Sequence, residues 1–205
     1  LKDYDFRWEP SILSRSISDL TVAVIGTGRI GSIAASIFAK GYRSHVVAYD
    51  PFPNEKVGQY VEYKDTMEEA LRDADIVTVH IPATKYNPHL FNKDLFSKFK
   101  KGAVFVNAAR GSIVDTRALL DAIDSGQIKG AALDTYEHER GLFPGDYRDK
   151  VINDDLLDEL IAREDIWLTP HIAFYTDAAV KNLIVDALDA VIDVINTGTT
   201  KLRVN

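Results

Sequence analysis

The most constraining feature of this chain is a glycine-rich turn between an apolar run and a helical pattern. Residues 21–25 are small or β-branched, and apolar positions recur at helical spacing through residues 30–38. Glycine is required where a backbone turns tightly or approaches another segment closely. The pattern predicts a strand, a tight turn and a helix that form one unit. The turn between them has the sequence Gly26-Thr27-Gly28-Arg29-Ile30-Gly31.

The spacing of these glycines suits a dinucleotide. Gly26 permits the turn, Gly28 lets a pyrophosphate approach the backbone at the positive end of a helix, and Gly31 lets the helix pack on the strand. A second apolar run ends at Asp50, 22 residues after Gly28. A carboxylate there would accept hydrogen bonds from ribose hydroxyls and repel a 2′-phosphate, so we expect NAD and not NADP. The alternative is a structural turn with Asp50 as a surface residue.

Short apolar runs alternate with helical patterns along most of the chain. Because the runs are apolar throughout, they predict strands covered on both faces. We therefore expect an α/β fold, a Rossmann-type doubly wound parallel sheet of about six strands. Gly41 is expected to end the first helix. The predicted strands are Thr21–Ile25, Val46–Tyr49, Ile76–His80, Ala103–Val106, Gly130–Leu133 and Ile166–Leu168. The predicted helices after the first are Thr66–Arg72, Asn92–Phe99, Asp115–Ser125, Asp154–Arg163 and Asp177–Ile195.

Composition narrows the possible partners. The 205 residues carry a net charge of −7, which argues against nucleic acid or an anionic membrane as the main partner. No apolar run approaches the roughly 20 residues that span a bilayer. The chain has no Cys and no metal-ligand spacing, so we expect no disulfide, no metal and a cytoplasmic protein. It begins at Leu1, which we interpret as a processed product or an excerpt of a longer protein.

Polar residues follow the later strands in a way that indicates a site. The carboxyl ends of parallel strands share one edge of a sheet, and ligands bind there. That edge would receive Arg110, several acids and His171. The segments after strands three to six are Pro82-Ala83-Thr84, Asn107-Ala108-Ala109-Arg110-Gly111, Asp134-Thr135-Tyr136-Glu137-His138-Glu139 and Thr169-Pro170-His171.

These residue types suit reduction of a 2-keto acid by NADH. Arginine binds a carboxylate through two parallel hydrogen bonds and keeps its charge, and histidine can donate a proton to the new hydroxyl. A carboxylate beside the histidine would orient the ring and keep it protonated. Each residue also has a structural interpretation: Arg110 as a surface charge, His171 as a histidine after a strand, and Glu139 as a solvated acid. His80 ends an apolar strand, and we expect it to have no catalytic role.

Together these motifs resemble the D-isomer-specific 2-hydroxyacid dehydrogenases over roughly residues 6 to 205. The resemblance implies that Arg110 binds and polarises the substrate, that His171 donates and accepts the proton, and that Glu139 is its partner. Asp134 matches a family acid near the nicotinamide. The matching segments are the glycine turn with Asp50, residues 79–84, 106–111, 133–139 and 169–171. The further cofactor contacts that it implies are Arg29, Ile30, Pro51, His80, Ile81, Pro82, Asn87, Ala108 and Ala109.

The segment His171-Ile172-Ala173-Phe174-Tyr175-Thr176 resembles the branch of this family that interconverts pyruvate and D-lactate. Phe174 would then line a pocket for a small side chain. One alternative is a D-2-hydroxyisocaproate-type dehydrogenase for larger keto acids, whose motifs are nearly the same. Another is a non-catalytic NAD-sensing protein, since related corepressors keep the residues that correspond to Arg110, Glu139 and His171.

Family members have a longer front segment that forms most of a substrate domain. We therefore expect residues 1–174 to be the NAD-binding domain, and residues 175–205 to be a C-terminal helix and tail that return to an otherwise missing substrate domain. The resemblance also implies a homodimeric parent protein. Without the front segment the cleft cannot close, so these residues alone should bind NAD and turn over very weakly.

Overall fold

The computed structural model describes residues 14–203, so the parts of the expected domains that fall on residues 1–13, 204 and 205 lie outside the described residues. Seven strands form one parallel sheet in the order β3-β2-β1-β4-β5-β6-β7. The order reverses between β1 and β4, as in a doubly wound sheet. The strands are β1 (Thr21–Ile25), β2 (His45–Tyr49), β3 (Glu62–Tyr63), β4 (Ile76–Val79), β5 (Ala103–Asn107), β6 (Ile128–Leu133) and β7 (Ile166–Leu168).

The predicted fold class is confirmed, with seven strands in place of about six. The additional strand is β3, whose two residues pair with Val47 and Ala48 of β2 at the edge of the sheet. Glu62 is exposed and Tyr63 is only partly buried. Two residues with one polar side chain carry no periodic signal, so the sequence could not show this strand.

Five α-helices lie between the strands and a sixth follows β7, and their N-terminal ends lie close to the predicted positions. The structure ends the first helix differently from the prediction. A wider π-helical turn over Ile37–Tyr42 continues it, and Arg43 takes the left-handed conformation (φ 59°) expected of Gly41. The helices are α1 (Arg29–Ser36), α2 (Met67–Arg72), α3 (Lys93–Phe96), α4 (Thr116–Asp124), α5 (Asp155–Ala162) and α6 (Asp177–Thr197). Helix α3 is shorter than the predicted 92–99.

The two faces of the sheet are covered unequally. Helices α2 to α5 pack on one face and form the larger core, which contains Ile25, Phe105 and Leu133. On the other face, α1 and residues 57–61 cover β1 and β2. Alternate residues of β5 remain partly exposed there, and Trp167 of β7 is 77% exposed. The expectation of strands covered on both faces is therefore wrong for β5 to β7 within the described residues.

Helix α6 stands apart from both cores. Thr176 caps its start by accepting from the backbone N–H of Ala179, and Gly198 ends it with φ 74°, both as the sequence predicted. No residue of α6 is buried, although it carries a run of exposed Leu, Ile and Val side chains. None of the described helices is long and apolar enough to cross a bilayer.

Neighbouring strands pair residue by residue, and one row of paired residues across the sheet, called the register row below, places the segments that follow the strands side by side. The row runs across six strands, and the polar segments begin at the residue after each member or within a few residues of it. Because the strands are parallel, these segments share one edge of the sheet, called the carboxyl edge below. The members of the row are Tyr49, Ile25, Val79, Asn107, Leu133 and Leu168.

The glycine turn at this edge leaves no room for side chains at two positions. A Cβ on Gly31 would lie 1.8 Å from the carbonyl oxygen of Gly26. Gly26 itself has φ 90°, and a Cβ there would lie 2.9 Å from the carbonyl oxygen of His80. At Gly28 a Cβ would meet nothing within 4 Å. The first and third glycines of the motif are therefore required by packing, and the second is not.

This difference predicts that two alanine variants differ in thermal stability. Gly31→Ala should destabilise the chain by about 2 kcal/mol or more, because helix and turn must separate. That corresponds to a fall in Tm of roughly 4–8 °C for a chain of this size. Gly28→Ala is the matched control and should leave Tm within about 2 °C, since its Cβ meets no atom. Thermal unfolding followed by circular dichroism measures both, and equal falls in Tm would contradict the packing argument.

Candidate cofactor and active site

Helix α1 differs from the other described helices at its N-terminus. It begins after Gly28 with no side-chain cap, so the first N–H groups and the positive helix end face open space. Such an end is a ready site for a phosphate group. The other five helices are each capped by a side chain that accepts a backbone N–H; these caps are Thr66, Asn92, Asp115, Asp154 and Thr176.

Asp50 lies beside this turn and supports it directly. Its Oδ2 accepts from the backbone N–H of Thr27 at 2.7 Å and from the Thr27 hydroxyl at 3.2 Å. Its Oδ1 accepts from the N–H of Phe52 at 2.8 Å. A carboxylate oxygen accepts more than one hydrogen bond, so Oδ1 can also receive a ribose hydroxyl. The carboxylate thus fits an adenosine ribose while it fixes the turn.

Sequence reasoning missed two residues that complete this support. The Tyr63 hydroxyl donates to Thr27 Oγ1 at 2.8 Å, and accepts from the N–H of Asn54 at 3.0 Å. Thr27 is buried at the centre of the turn. Tyr63 belongs to the short strand β3, which had no sequence signal, whereas Thr27 stood in the motif at a position that the motif leaves variable.

The segment after β4 is the next part of the candidate cofactor site. His80 is partly buried, and burial lowers the pKa of its imidazole below the ordinary value. Its Nε2 lies 3.0 Å from Thr78 Oγ1. Asn87 folds the loop, because its Oδ1 accepts from the N–H of Thr84 and its Nδ2 donates to the carbonyl oxygen of Pro82. The Asn87 side chain therefore shapes the loop, and Ile81 contacts the glycine turn.

Arg110 lies in the tight segment after β5. Buried Asn107 accepts from the N–H of Ala109 at 3.0 Å and donates to the carbonyl oxygen of Arg110 at 2.9 Å. Arg110 and Ala108 are exposed. Gly111, which sequence reasoning did not select, has no room for a side chain: a Cβ would lie 2.1 Å from the backbone carbon of Tyr136. The Arg110 segment is thereby fixed against the segment after β6.

Glu139 and His171 meet, as the sequence predicted. His171 Nδ1 lies 2.9 Å from Glu139 Oε1, and the side chains are 35% and 21% exposed. Glu139 Oε2 accepts from the N–H of Tyr136 at 2.9 Å, which orients the carboxylate. With Nδ1 donating to Glu139, Nε2 remains free to exchange a proton with a ligand. Among the described residues, Arg110 forms no hydrogen bond with either of them.

Asp134 holds the backbone that carries His171. The Asp134 carboxylate is buried and accepts from the N–H groups of Ile172 at 2.8 Å and Ala173 at 2.9 Å, and from the Thr169 hydroxyl at 2.6 Å. His171 itself has φ 57°, a conformation that residues with a Cβ seldom adopt. Three hydrogen bonds to one carboxylate stabilise this conformation at the point where the ring must be aimed.

A cavity of about 680 Å³ opens beside His171. Its walls are mostly apolar and include Phe143, Pro144, Phe174 and Tyr175. The Phe174 ring lies 6.5 Å from the His171 ring, edge to face. Phe174 therefore lines a cavity beside the Glu139–His171 pair, and its contact with a substrate stays a prediction. No group of three or more His, Cys, Asp or Glu within residues 14–203 is arranged to hold a metal ion.

Comparison with known proteins agrees with this geometry. The family described as "D-isomer specific 2-hydroxyacid dehydrogenase, NAD binding domain" matches residues 2–173. The chain belongs to this family. The match covers the glycine turn and every candidate residue up to His171, so these residues form the NAD-binding domain of a D-2-hydroxyacid dehydrogenase. NAD fits the uncapped start of α1 and the carboxylate of Asp50, as described above.

Similar proteins carry the names of D-lactate dehydrogenases. One from Staphylococcus aureus is 48% identical over 202 residues, which are 98% of this chain and 61% of the relative. One from Streptococcus pyogenes is 47% identical over 100% of this chain and 62% of its own length. A solved D-lactate dehydrogenase from Treponema pallidum superposes with a TM-score of 0.91 at 42% identity, covering 97% of this chain and 59% of that protein. The chain thus spans about three fifths of the length of its relatives.

The structure of the Lactobacillus jensenii D-lactate dehydrogenase with NAD⁺ superposes with a TM-score of 0.88 at 34% identity, covering 100% of this chain and 61% of that chain. The likeness extends over the whole chain. The backbone that surrounds the glycine turn is therefore that of a family whose members are known with NAD bound.

The two roles of Asp50 lead to a prediction about cofactor choice. Asp50→Ser should weaken NAD binding about tenfold or more, because it removes a ribose acceptor and a support of the Thr27 N–H. NADP binding should weaken less, since the repulsion of its 2′-phosphate disappears. Calorimetric titration with both dinucleotides measures how far the preference for NAD over NADP falls. The control is Asp73→Ser, which removes the same charge from an exposed acid at the end of α2. An unchanged ratio of the Kd values for NAD and NADP in Asp50→Ser would contradict the ribose role.

Proposed function

We propose that the full protein containing this chain interconverts pyruvate and D-lactate with NAD. The observation that carries the proposal is the Glu139–His171 pair beside an apolar cavity, with Arg110 at the end of the neighbouring strand and the dinucleotide turn on the same edge. The D-lactate dehydrogenase names of the similar proteins support the same reaction.

Each residue has a step that its geometry suits. The Arg110 guanidinium is exposed and permanently charged, and we assign it to the substrate carboxylate and carbonyl oxygen. When bound, NADH supplies the hydride for the carbonyl carbon. His171 Nε2 then gives its proton to the carbonyl oxygen, which becomes the hydroxyl, and Glu139 orients the ring through Nδ1. In the reverse direction His171 takes that proton back.

The choice of pyruvate over larger keto acids rests on Phe174. Its ring is close to His171 and lines the cavity, and we assign it to the wall that meets the side chain of the substrate. A D-2-hydroxyisocaproate dehydrogenase also superposes on this chain, with a TM-score of 0.86 at 34% identity, so the larger substrate is the second candidate. Comparing kcat/KM for pyruvate and 2-ketoisocaproate separates them. We expect pyruvate to be preferred, and the opposite order would favour the second candidate.

The role of His171 predicts a large loss on its replacement. His171→Ala in the full-length protein should lower kcat for pyruvate reduction by about 10²–10⁴, the usual contribution of a general acid. His45→Ala is the matched control, since His45 is exposed at the opposite side of the sheet and pairs with Glu62. An unchanged kcat in His171→Ala would exclude the assignment. No turnover in the wild type, with intact NAD binding, would instead favour an NAD-sensing protein.

We further propose that the full protein is a cytoplasmic homodimer. Helix α1 and the π-helical turn that continues it present Ile30, Ile33 and Ile37 to the surface at 70%, 62% and 51% exposure, which is an apolar stripe suited to burial against another surface. The absence of Cys suits a reducing compartment. Sedimentation of the full-length protein should give twice the monomer mass, and a monomer at micromolar concentration would contradict the proposal.

A further inference from the structure

Glu137 lies two residues before Glu139 but contacts a different part of the molecule. Its carboxylate is buried, with 8% of the side chain exposed. Oε1 accepts from the backbone N–H of Thr116 at 3.0 Å, and Oε2 lies 2.7 Å from His89 Nε2. A third group, His138 Nε2, is 3.9 Å from Oε2, beyond hydrogen-bond distance. The carboxylate therefore joins its own loop to two others.

The two partners of Glu137 belong to the other segments of the site. Thr116 is the first residue of α4, at the end of the segment that begins with Arg110. His89 ends the loop that Asn87 folds against Pro82, where the sequence expects cofactor contacts. The His89 backbone N–H also donates to the carbonyl oxygen of Ser112 at 3.0 Å. Three strand-end segments thus meet at a single carboxylate.

This contact is additional to the ordinary capping of α4. Asp115 already caps the helix by accepting from the N–H of Ala118 at 3.0 Å. Glu137 takes a different N–H of the same first turn, where a negative charge is favoured by the helix dipole. The backbones also touch, because a Cβ on Gly111 would lie 2.5 Å from the Glu137 nitrogen. Helix stability alone does not require the carboxylate to come from this loop.

His89 adopts an unfavourable conformation at the same place. Its φ is 48°, in the left-handed region that residues with a Cβ seldom occupy. The hydrogen bonds of its ring to Glu137 and of its N–H to Ser112 hold it there. Conformations of this kind persist where the surroundings fix them and cluster at functional sites.

We propose that Glu137, held by His89, is a positioning residue that fixes the Arg110 segment and the cofactor loop relative to Glu139. The inference rests on the proposed function, because the positioned groups are those of the 2-keto acid reaction. Glu137 touches neither partner of the Glu139–His171 pair through its side chain, so it acts through the three segments. A shift of about 1 Å between groups at a reacting centre can cost up to about a hundredfold in rate.

The test uses the full-length enzyme with pyruvate and NADH. Glu137→Gln keeps the shape of the side chain but replaces a charged acceptor by a neutral amide, which weakens the hydrogen bonds to Thr116 and His89. We expect kcat to fall about tenfold or more, with a higher KM for pyruvate, while the Kd for NADH changes less than about threefold. The matched control is Glu62→Gln, which breaks another His–carboxylate pair, that of Glu62 on edge strand β3 with exposed His45 on β2. It should leave kcat unchanged.

A double variant distinguishes positioning from a loss of stability. In Glu137→Gln combined with His89→Glu, the amide can accept from Thr116 and donate to the new carboxylate, so both hydrogen bonds are restored. We expect this variant to recover most of kcat, whereas each single variant does not. Equal kcat in wild type and Glu137→Gln would overturn the proposal, as would a fall in kcat that the double variant leaves uncorrected.

Two further results distinguish a variant that does not fold from a wrong proposed function. If Glu137→Gln does not fold, His89→Ala decides, since this side chain is 51% exposed and its loss spares the core. A kcat unchanged in His89→Ala would then overturn the proposal, and a fall of about threefold or more would support it. A wild-type enzyme without turnover of any 2-keto acid would refute the proposed function itself. An inactive variant of an active wild-type enzyme would not refute that function.

Discussion

The parallel pairing of six strands in one register row is the constraint on which the site depends. Ile25 pairs with Val79, Val79 with Asn107, and Asn107 with Leu133. The residues that follow each of these belong to the dinucleotide turn, the cofactor loop, the Arg110 segment and the Asp134 loop. Because hydrogen bonds between strands fix the row, a shift of one strand by one residue would move one of these segments away from the others.

Carboxylates turn this row of loops into an ordered site. Asp50, Asp134, Glu137 and Glu139 each accept at least one backbone N–H from a neighbouring segment or turn. Loops at the end of a sheet expose backbone donors that no strand satisfies, and an acidic side chain satisfies them while it joins two segments. The acids at this edge therefore act first as structural acceptors, and only Glu139 is directly bonded to the proposed proton donor.

The sequence predicted the parts of the fold that repeat or need a special residue. Strands with apolar runs, capped helices and the glycines of the turn all have local causes, and so do Thr176 and Gly198 at the ends of α6. It did not predict β3, whose two residues are held by pairing with β2. Nor did it predict Arg43 in place of Gly41, because a π-helical turn continues the helix past this glycine.

In the candidate site, the residues at strand ends were predicted and their supports were not. Arg110 and His171 stood out because their side chains are chemically distinctive at strand ends, and the family resemblance indicated Glu139 among several acids. The structure places Glu139 beside His171, and the catalytic roles of all three stay a prediction. Tyr63, His89 and Glu137 act through contacts between residues 21 to 48 positions apart in the sequence, which no local pattern records. The uncovered face of β5 to β7 was also invisible, since an apolar strand has the same sequence whatever covers it.

The central proposal is that the full protein transfers a hydride from NADH to one face of a 2-keto acid at this edge of the sheet, with His171 as the proton donor. Its most direct test is the configuration of the product. The full-length protein, incubated with pyruvate and NADH, should give lactate that chiral chromatography resolves as the D-isomer alone. L-lactate, a racemic product, or oxidation of NADH without lactate would contradict the account.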